Sequence, residues 1–203
     1  MRFRIAALLL TVAFASSAWA KWDEGLVDIS WGNKDVVPEG KAVVGNADSD
    51  KWNAMDGNTG DKIVLNDAKG DKTDVQVTYN AAGTYDADKD GGFVGTKFEN
   101  LMRHYLHTQE VSTITLTGLT PGAKYDLVVY SASDADGRKT KFTAGKDTAT
   151  VKYDKDKKDF AEGYNYAKFT VAADDSGKAE FTFEGVDGGE GNLNGLQLQP
   201  VAK

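Results

Sequence analysis

An all-β fold, an antiparallel β-sandwich with one short helix, is the fold class this sequence predicts. Three observations lead to it. Apolar and β-branched residues recur at period two in segment after segment, the signature of strands with one face on a core and one in water. Clusters rich in Gly and Asp separate those segments at short intervals, supplying the positive-φ and self-capping positions that tight turns need. Only 3 prolines interrupt the 203 residues, and about eleven short strands fit between the turns.

The chain begins with a different pattern. Arg2 and Arg4 precede an apolar run from Ile5 to Ala15, and Ala18-Trp19-Ala20 places small residues at a cleavage position. Residues 1–20 therefore read as a secretory signal peptide, and the apolar run is far shorter than the roughly 20 residues a spanning helix needs. Residues 21–203 are expected to form a single β-sandwich domain, exported to the periplasm or the cell exterior and not inserted in a membrane.

Leu26 to Trp31, Lys41 to Val44, Lys62 to Leu65 and Asp74 to Tyr79 read as strands of uneven spacing. Thr96 to His107 departs from the alternation. Phe98, Leu101, Met102, Tyr105 and Leu106 fall at helical spacing, and Glu99 precedes Arg103 by four, so a short helix is expected there. Alternation then resumes through Val111 to Thr117, Tyr125 to Ser131, Lys139 to Thr143, Thr148 to Tyr153, Tyr166 to Val171, Lys178 to Glu184 and Gly195 to Gln199. In these strands Phe142, Phe169, Phe181 and Phe183 fall on core-facing positions.

Composition excludes several functions. With 31 acidic against 24 basic residues the formal net charge is -7, and loss of Arg2 and Arg4 with the leader makes the remainder more acidic still. Such a surface lacks the cationic footprint of a nucleic-acid binder. With no cysteine, disulfides, thiolate metal sites and thiol catalysis are all ruled out. Neither a G-x-S-x-G nucleophile turn nor a phosphate loop is present. A carboxylate pair for glycoside hydrolysis, distant in sequence and close in space, would leave no local signature. A non-catalytic protein is the expectation.

The sharpest local pattern is Asp86-Ala87-Asp88-Lys89-Asp90-Gly91-Gly92-Phe93. Asp86, Asp88 and Asp90 stand at positions one, three and five, with the turn glycine at six and Gly92 at seven. This is the first half of a calcium loop. Lys97 stands where the closing Glu belongs, and Glu99 follows two residues later. The candidate Ca2+ ligands are Asp86, Asp88, Asp90, Gly92 and Glu99, against the alternative of a solvated acidic turn. Asp187, Glu190 and Asn192 form a weaker oxygen cluster, and His104 and His107 are read as exposed on the helix, not as a zinc pair, since no further ligands accompany them. Among the aromatics, Trp52, Tyr85 and Phe93 lie in polar loops and are the candidates for stacking on a sugar ring, with burial beneath the loops as the alternative.

Leu116-Thr117-Gly118-Leu119-Thr120-Pro121-Gly122-Ala123-Lys124-Tyr125 resembles the turn of a fibronectin type III domain, whose tyrosine hydroxyl bonds back to the upstream backbone. Too many strands follow it for that family. Taken with Gly137-Arg138 and Phe142, Gly163-Tyr164-Asn165-Tyr166 and Phe169, and Asn194-Gly195-Leu196-Gln197-Leu198, the chain from about residue 98 to 199 is similar to secreted bacterial β-sandwich proteins of the galactose-binding-like jelly-roll type. That resemblance implies carbohydrate binding by loops at one end or by a concave face, with a structural calcium ion. The partner expected is a glycan or matrix polysaccharide. Self-association into an extracellular matrix, fibre or surface layer is the alternative.

Overall fold

The structure, a computed structural model, describes Trp22, residues 25–45 and residues 47–202. The signal-peptide segment lies outside the described residues. The elements, in chain order, are β1 (Val27–Trp31), β2 (Asn53–Met55), β3 (Thr59–Asn66), β4 (Lys72–Asn80), β5 (Gly83–Asp86), α1 (Glu99–Met102), β6 (His104–Thr108), β7 (Ser112–Thr117), β8 (Lys124–Tyr130), β9 (Lys139–Ala144), β10 (Asp147–Lys152), β11 (Tyr166–Ala172), β12 (Ala179–Gly185), β13 (Gly191–Leu193) and β14 (Gly195–Pro200). The all-β expectation holds.

Three sheets result. A five-stranded sheet runs β11-β8-β14-β1-β2, a six-stranded sheet runs β10-β9-β12-β7-β4-β3, and a small one runs β13-β6-β5. The pairings of these strands are antiparallel except β1 with β2. Between the two large sheets lies the main core, with Val27, Ile29, Leu127, Val129, Leu196 and Leu198 from one side and Val77, Ile114, Leu116, Phe142, Phe181 and Phe183 from the other. Strands β7, β9, β11 and β12 alternate buried and more exposed residues, as half-buried strands must. Phe142, Phe169, Phe181 and Phe183 are all buried, as their register in the sequence required.

The five-stranded sheet is covered on its other face as well, so β1 is buried at every position and β14 at its first four. A second apolar cluster of Trp52, Phe93, Leu101, Met102, Val128, Tyr130, Ala132 and Tyr153 sits there, with Val43, Val44, Phe98 and Phe160 packed against it. Loops and α1 thus form a third layer.

Two elements differ from the sequence expectation. Only Glu99–Met102 is helical, and His104–Thr108 is the strand β6. Both periods are written into that stretch. The strand wins because β5 and β13 each pair with it, giving its backbone ladder partners on both sides. His104 and His107 are therefore on opposite faces of a strand, not together on a helix. Residues 41–44 are a series of bends, not a strand, because side chains satisfy that backbone: the Val43 amide donates to the Tyr130 hydroxyl at 3.0 Å and the Val44 amide to Gln197 Oε1 at 3.0 Å.

The turn at Pro121 has the tyrosine geometry its sequence predicts. Tyr125 Oη accepts from the Thr120 amide at 2.9 Å and donates to the Trp22 carbonyl at 3.0 Å, while the Trp22 and Tyr125 rings stack at 5.5 Å. The outer strand β3 carries exposed Asp61 and Lys62 and two register shifts against β4, features that discourage edge-to-edge pairing.

Candidate functional site

The predicted calcium loop folds around a cation of the protein's own. Arg103, between α1 and β6, donates from Nε to Asp86 Oδ1 at 2.5 Å and from Nη2 to Asp86 Oδ2 at 2.7 Å. Its guanidinium also lies 3.2 Å from Asp88 and 3.9 Å from Glu99. The hydrogen bonds from Arg103 hold the Asp86 carboxyl below the usual aspartate range. Other ligand capacity is spent inside the loop. Asp86 Oδ1 accepts the Asp88 amide at 2.8 Å, and Glu99 Oε2 accepts the Gly95 amide at 2.6 Å. Asp90 is exposed. Among the described residues no group of three or more acidic or histidine side chains is disposed to hold a metal. This donor set, with a guanidinium at its centre, does not fit calcium.

The three aromatic candidates separate. Trp52 is buried in the outer cluster, its Nε1 donating to the Gly40 carbonyl at 2.9 Å and its ring 6.3 Å from Tyr130. Phe93 is buried against Phe160. Neither ring is open to a ligand, because the third layer needs apolar volume beneath its polar loops. Tyr85 alone remains open, with 48% of its surface exposed.

Tyr85 sits on β5 directly opposite Tyr105 of β6, and the two rings lie 5.5 Å apart at 35°. Strand alternation puts Tyr105 and His107 on one face of β6. Tyr105 is buried and donates its hydroxyl to Asp134 Oδ1 at 3.0 Å. Asp134 lies 3.4 Å from Arg138 Nη1, which reaches Glu190 Oε2 at 2.8 Å, and Glu190 Oε1 is 3.5 Å from His107 Nδ1. A continuous band of aromatic and polar groups therefore runs from Tyr85 to His107. Gly83 makes room for its far end, since a Cβ there would stand 2.5 Å from His107 Nε2. Beyond His107 and Glu190 opens a cleft of about 570 Å³, lined also by residues 80–82 and 108–112.

Burial opposes ionisation of Asp134, but hydrogen bonds from Ser133 and Tyr105 and the Arg138 charge outweigh it and hold the carboxyl below its usual range. Burial, then Asp134 itself, raises the Tyr105 hydroxyl well above the usual tyrosine value, so it stays a donor. The band thus offers a ring face, fixed acceptors and a guanidinium whose charge is balanced by two carboxylates. On the opposite face of β6, His104 is buried, its pKa lowered by burial.

Sequence reasoning named Tyr85 and, within a weaker cluster, Glu190. It missed Tyr105 and His107 as site residues because the strand carrying them also scans as a helix. The spacing of Asp134 and Arg138 across a turn was visible, but the partners that give it meaning come from β6 and the segment before β13.

No protein-family model and no curated protein matches the sequence. Among solved structures, a calcium-binding mutant of Bacteroides uniformis beta-glucuronidase 2 aligns over 87% of this chain and 18% of its own, at 12% identity and a TM-score of 0.52. The ANXUR2 extracellular domain from Arabidopsis thaliana aligns over 87% of this chain and 41% of its own, at 10% identity and a TM-score of 0.47. This chain spans less than half the length of either. The likeness to the glucuronidase is one of fold, and with the strand pairing above it shows an all-β sandwich whose large sheets are antiparallel apart from the β1–β2 pair.

Proposed function

We propose that this chain is a secreted, non-catalytic carbohydrate-binding β-sandwich of the galactose-binding-like kind, and that it holds a sugar ring against Tyr85. The observation that carries the reading is the half-exposed Tyr85 ring, backed by Tyr105 and continued by Asp134, Arg138, Glu190 and His107. An aromatic face matches the apolar face of a pyranose, and flanking carboxylates accept from its hydroxyls. Arg138 lies between the two carboxylates and, with the hydrogen bonds from Ser133 and Tyr105, favours the ionised form of Asp134, which suits hydrogen-bond acceptance better than general-acid chemistry. The signal-peptide pattern of residues 1–20 supports export. Among the described residues no helix is long and apolar enough to cross a membrane.

The test is retention on a panel of immobilised polysaccharides. The wild type is retained by at least one, Tyr85→Ala loses about tenfold in affinity, and Tyr85→Trp keeps binding. Absence of wild-type retention across neutral and acidic glycans alike overturns the proposal, as does binding that Tyr85→Ala leaves intact.

A further inference from the structure

A buried carboxyl with no role in the site above lies under the loop that follows Gly40. Asp28, on the outer face of β1, is fully buried. Its Oδ1 accepts from Gln197 Nε2 at 2.8 Å, and its Oδ2 finds no hydrogen-bond partner among the described residues. Gln197, on β14, has every polar position engaged: Oε1 accepts the Val44 amide at 3.0 Å and the Tyr130 hydroxyl, and Nε2 donates to the Val44 carbonyl at 2.9 Å as well as to Asp28. The Val43 amide donates to Tyr130 Oη at 3.0 Å. Residues 40–45 are thus tied to the sheet through side chains, with no ladder of their own. Their base is closed by the Gly40 amide on the Asp50 carbonyl at 2.8 Å and the Glu39–Lys51 bridge.

We propose that residues 40–45 form a strap that closes over the five-stranded sheet while Asp28 carries its proton and lifts when Asp28 ionises. The titratable groups facing Asp28 are Tyr130 from β8 and Asp50 from the end of the loop; Gln197 from β14 is neutral. None is a cation. A carboxylate formed here would have one oxygen unpartnered in an apolar layer and a second acidic residue beside it, and opening to water relieves both. Burial, opposed by the Gln197 hydrogen bond and aided by Asp50, pushes the Asp28 pKa up from 3.8 to about 8. A cleft of about 310 Å³ opens beside Val44 and Val128, so space for displacement exists next to the strap.

The linkage has a definite sign. With the strap open Asp28 titrates near its ordinary value, and with it closed near 8, so the opening equilibrium rises with pH between those values and levels off above the second. The slope approaches about tenfold per pH unit. Hydrogen-deuterium exchange on the full chain reads this directly. Protection factors of the Val43 and Val44 amides fall steeply from about pH 5 to about pH 8 and then stay level, remaining below those of the core strands β7 and β12 throughout. In Asp28→Asn the slope disappears. Trypsin cleavage after Lys41, normalised to an unstructured peptide of the same sequence, rises over the same range in the wild type and needs no variant. Protection at Val43 and Val44 that is independent of pH, cleavage that does not change, or a slope that survives in Asp28→Asn overturns the strap.

Discussion

Arg103 clasps both carboxylate oxygens of Asp86, at 2.5 and 2.7 Å, and so fills the centre that the Asp86 to Gly92 pattern marks out for calcium. An arginine seventeen residues downstream in sequence supplies the charge neutralisation that a metal would otherwise provide. The two oxygens and the planar fork match in geometry as well as in sign.

Thermal melting of the wild type should therefore be indifferent to millimolar calcium. Arg103→Ala removes the clasp and costs on the order of 1 kcal/mol, as a part-exposed ion pair does. The folded-state pKa of Asp86 is depressed, so this contribution is present above the ordinary aspartate range and lost as pH falls through the depressed value. The difference between wild type and Arg103→Ala should shrink accordingly in acid. A calcium-dependent rise in wild-type melting temperature would restore the metal-loop reading.

Trp52→Ala and Phe93→Ala should destabilise the fold by about 3–5 kcal/mol, the cost of a large cavity in a packed layer. Urea unfolding measures it. The folded fraction of either variant should keep whatever glycan retention the wild type has, in contrast to Tyr85→Ala.

Tyr125→Phe removes one hydroxyl that accepts from Thr120 and donates to Trp22. Both partners are left behind, so a loss of about 1–3 kcal/mol is expected. Trp22 fluorescence should report the release of its ring and backbone from the turn before the global transition.

Asp28 affects global stability with the opposite sign to Asp86. Its folded pKa, about 8 against an ordinary 3.8, means the unfolded chain gives up its proton first as pH rises, so stability falls from about pH 4 to about pH 8 by as much as ~1.4 kcal/mol per unit. Chemical denaturation across that range should show the decline in the wild type and a flatter profile in Asp28→Asn. Equal profiles would mean that Asp28 is ionised in the folded protein.

Much of the fold was legible residue by residue. β7, β9, β11 and β12 each keep one face on the main core and one in water, and a half-buried strand writes that division into its sequence as alternation. β1 and β14 are covered on both sides; β14 still carries alternation in its sequence, and β1 was read as a strand of uneven spacing. β2, β5 and β13 are three or four residues long, too short to show a period. Their existence depends on the strands they meet. The site was legible at Tyr85, whose exposure agrees with the expectation although it stands on β5 and not in a loop, and, within a weaker cluster, at Glu190.

The sequence by itself determined the fold class, the inward phenylalanines, the tyrosine-anchored turn at Pro121 and the cysteine-free composition that bars thiol chemistry. All of these depend on local spacing or on totals. Only the tertiary structure decided that residues 104–108 are a strand, that Trp52 and Phe93 are core, that the acidic loop closes on Arg103, and that Asp28 is sealed beneath the strap by Gln197. Each of those outcomes depends on a partner distant in the chain, and side-chain pairing across such distances leaves no periodic trace in the sequence.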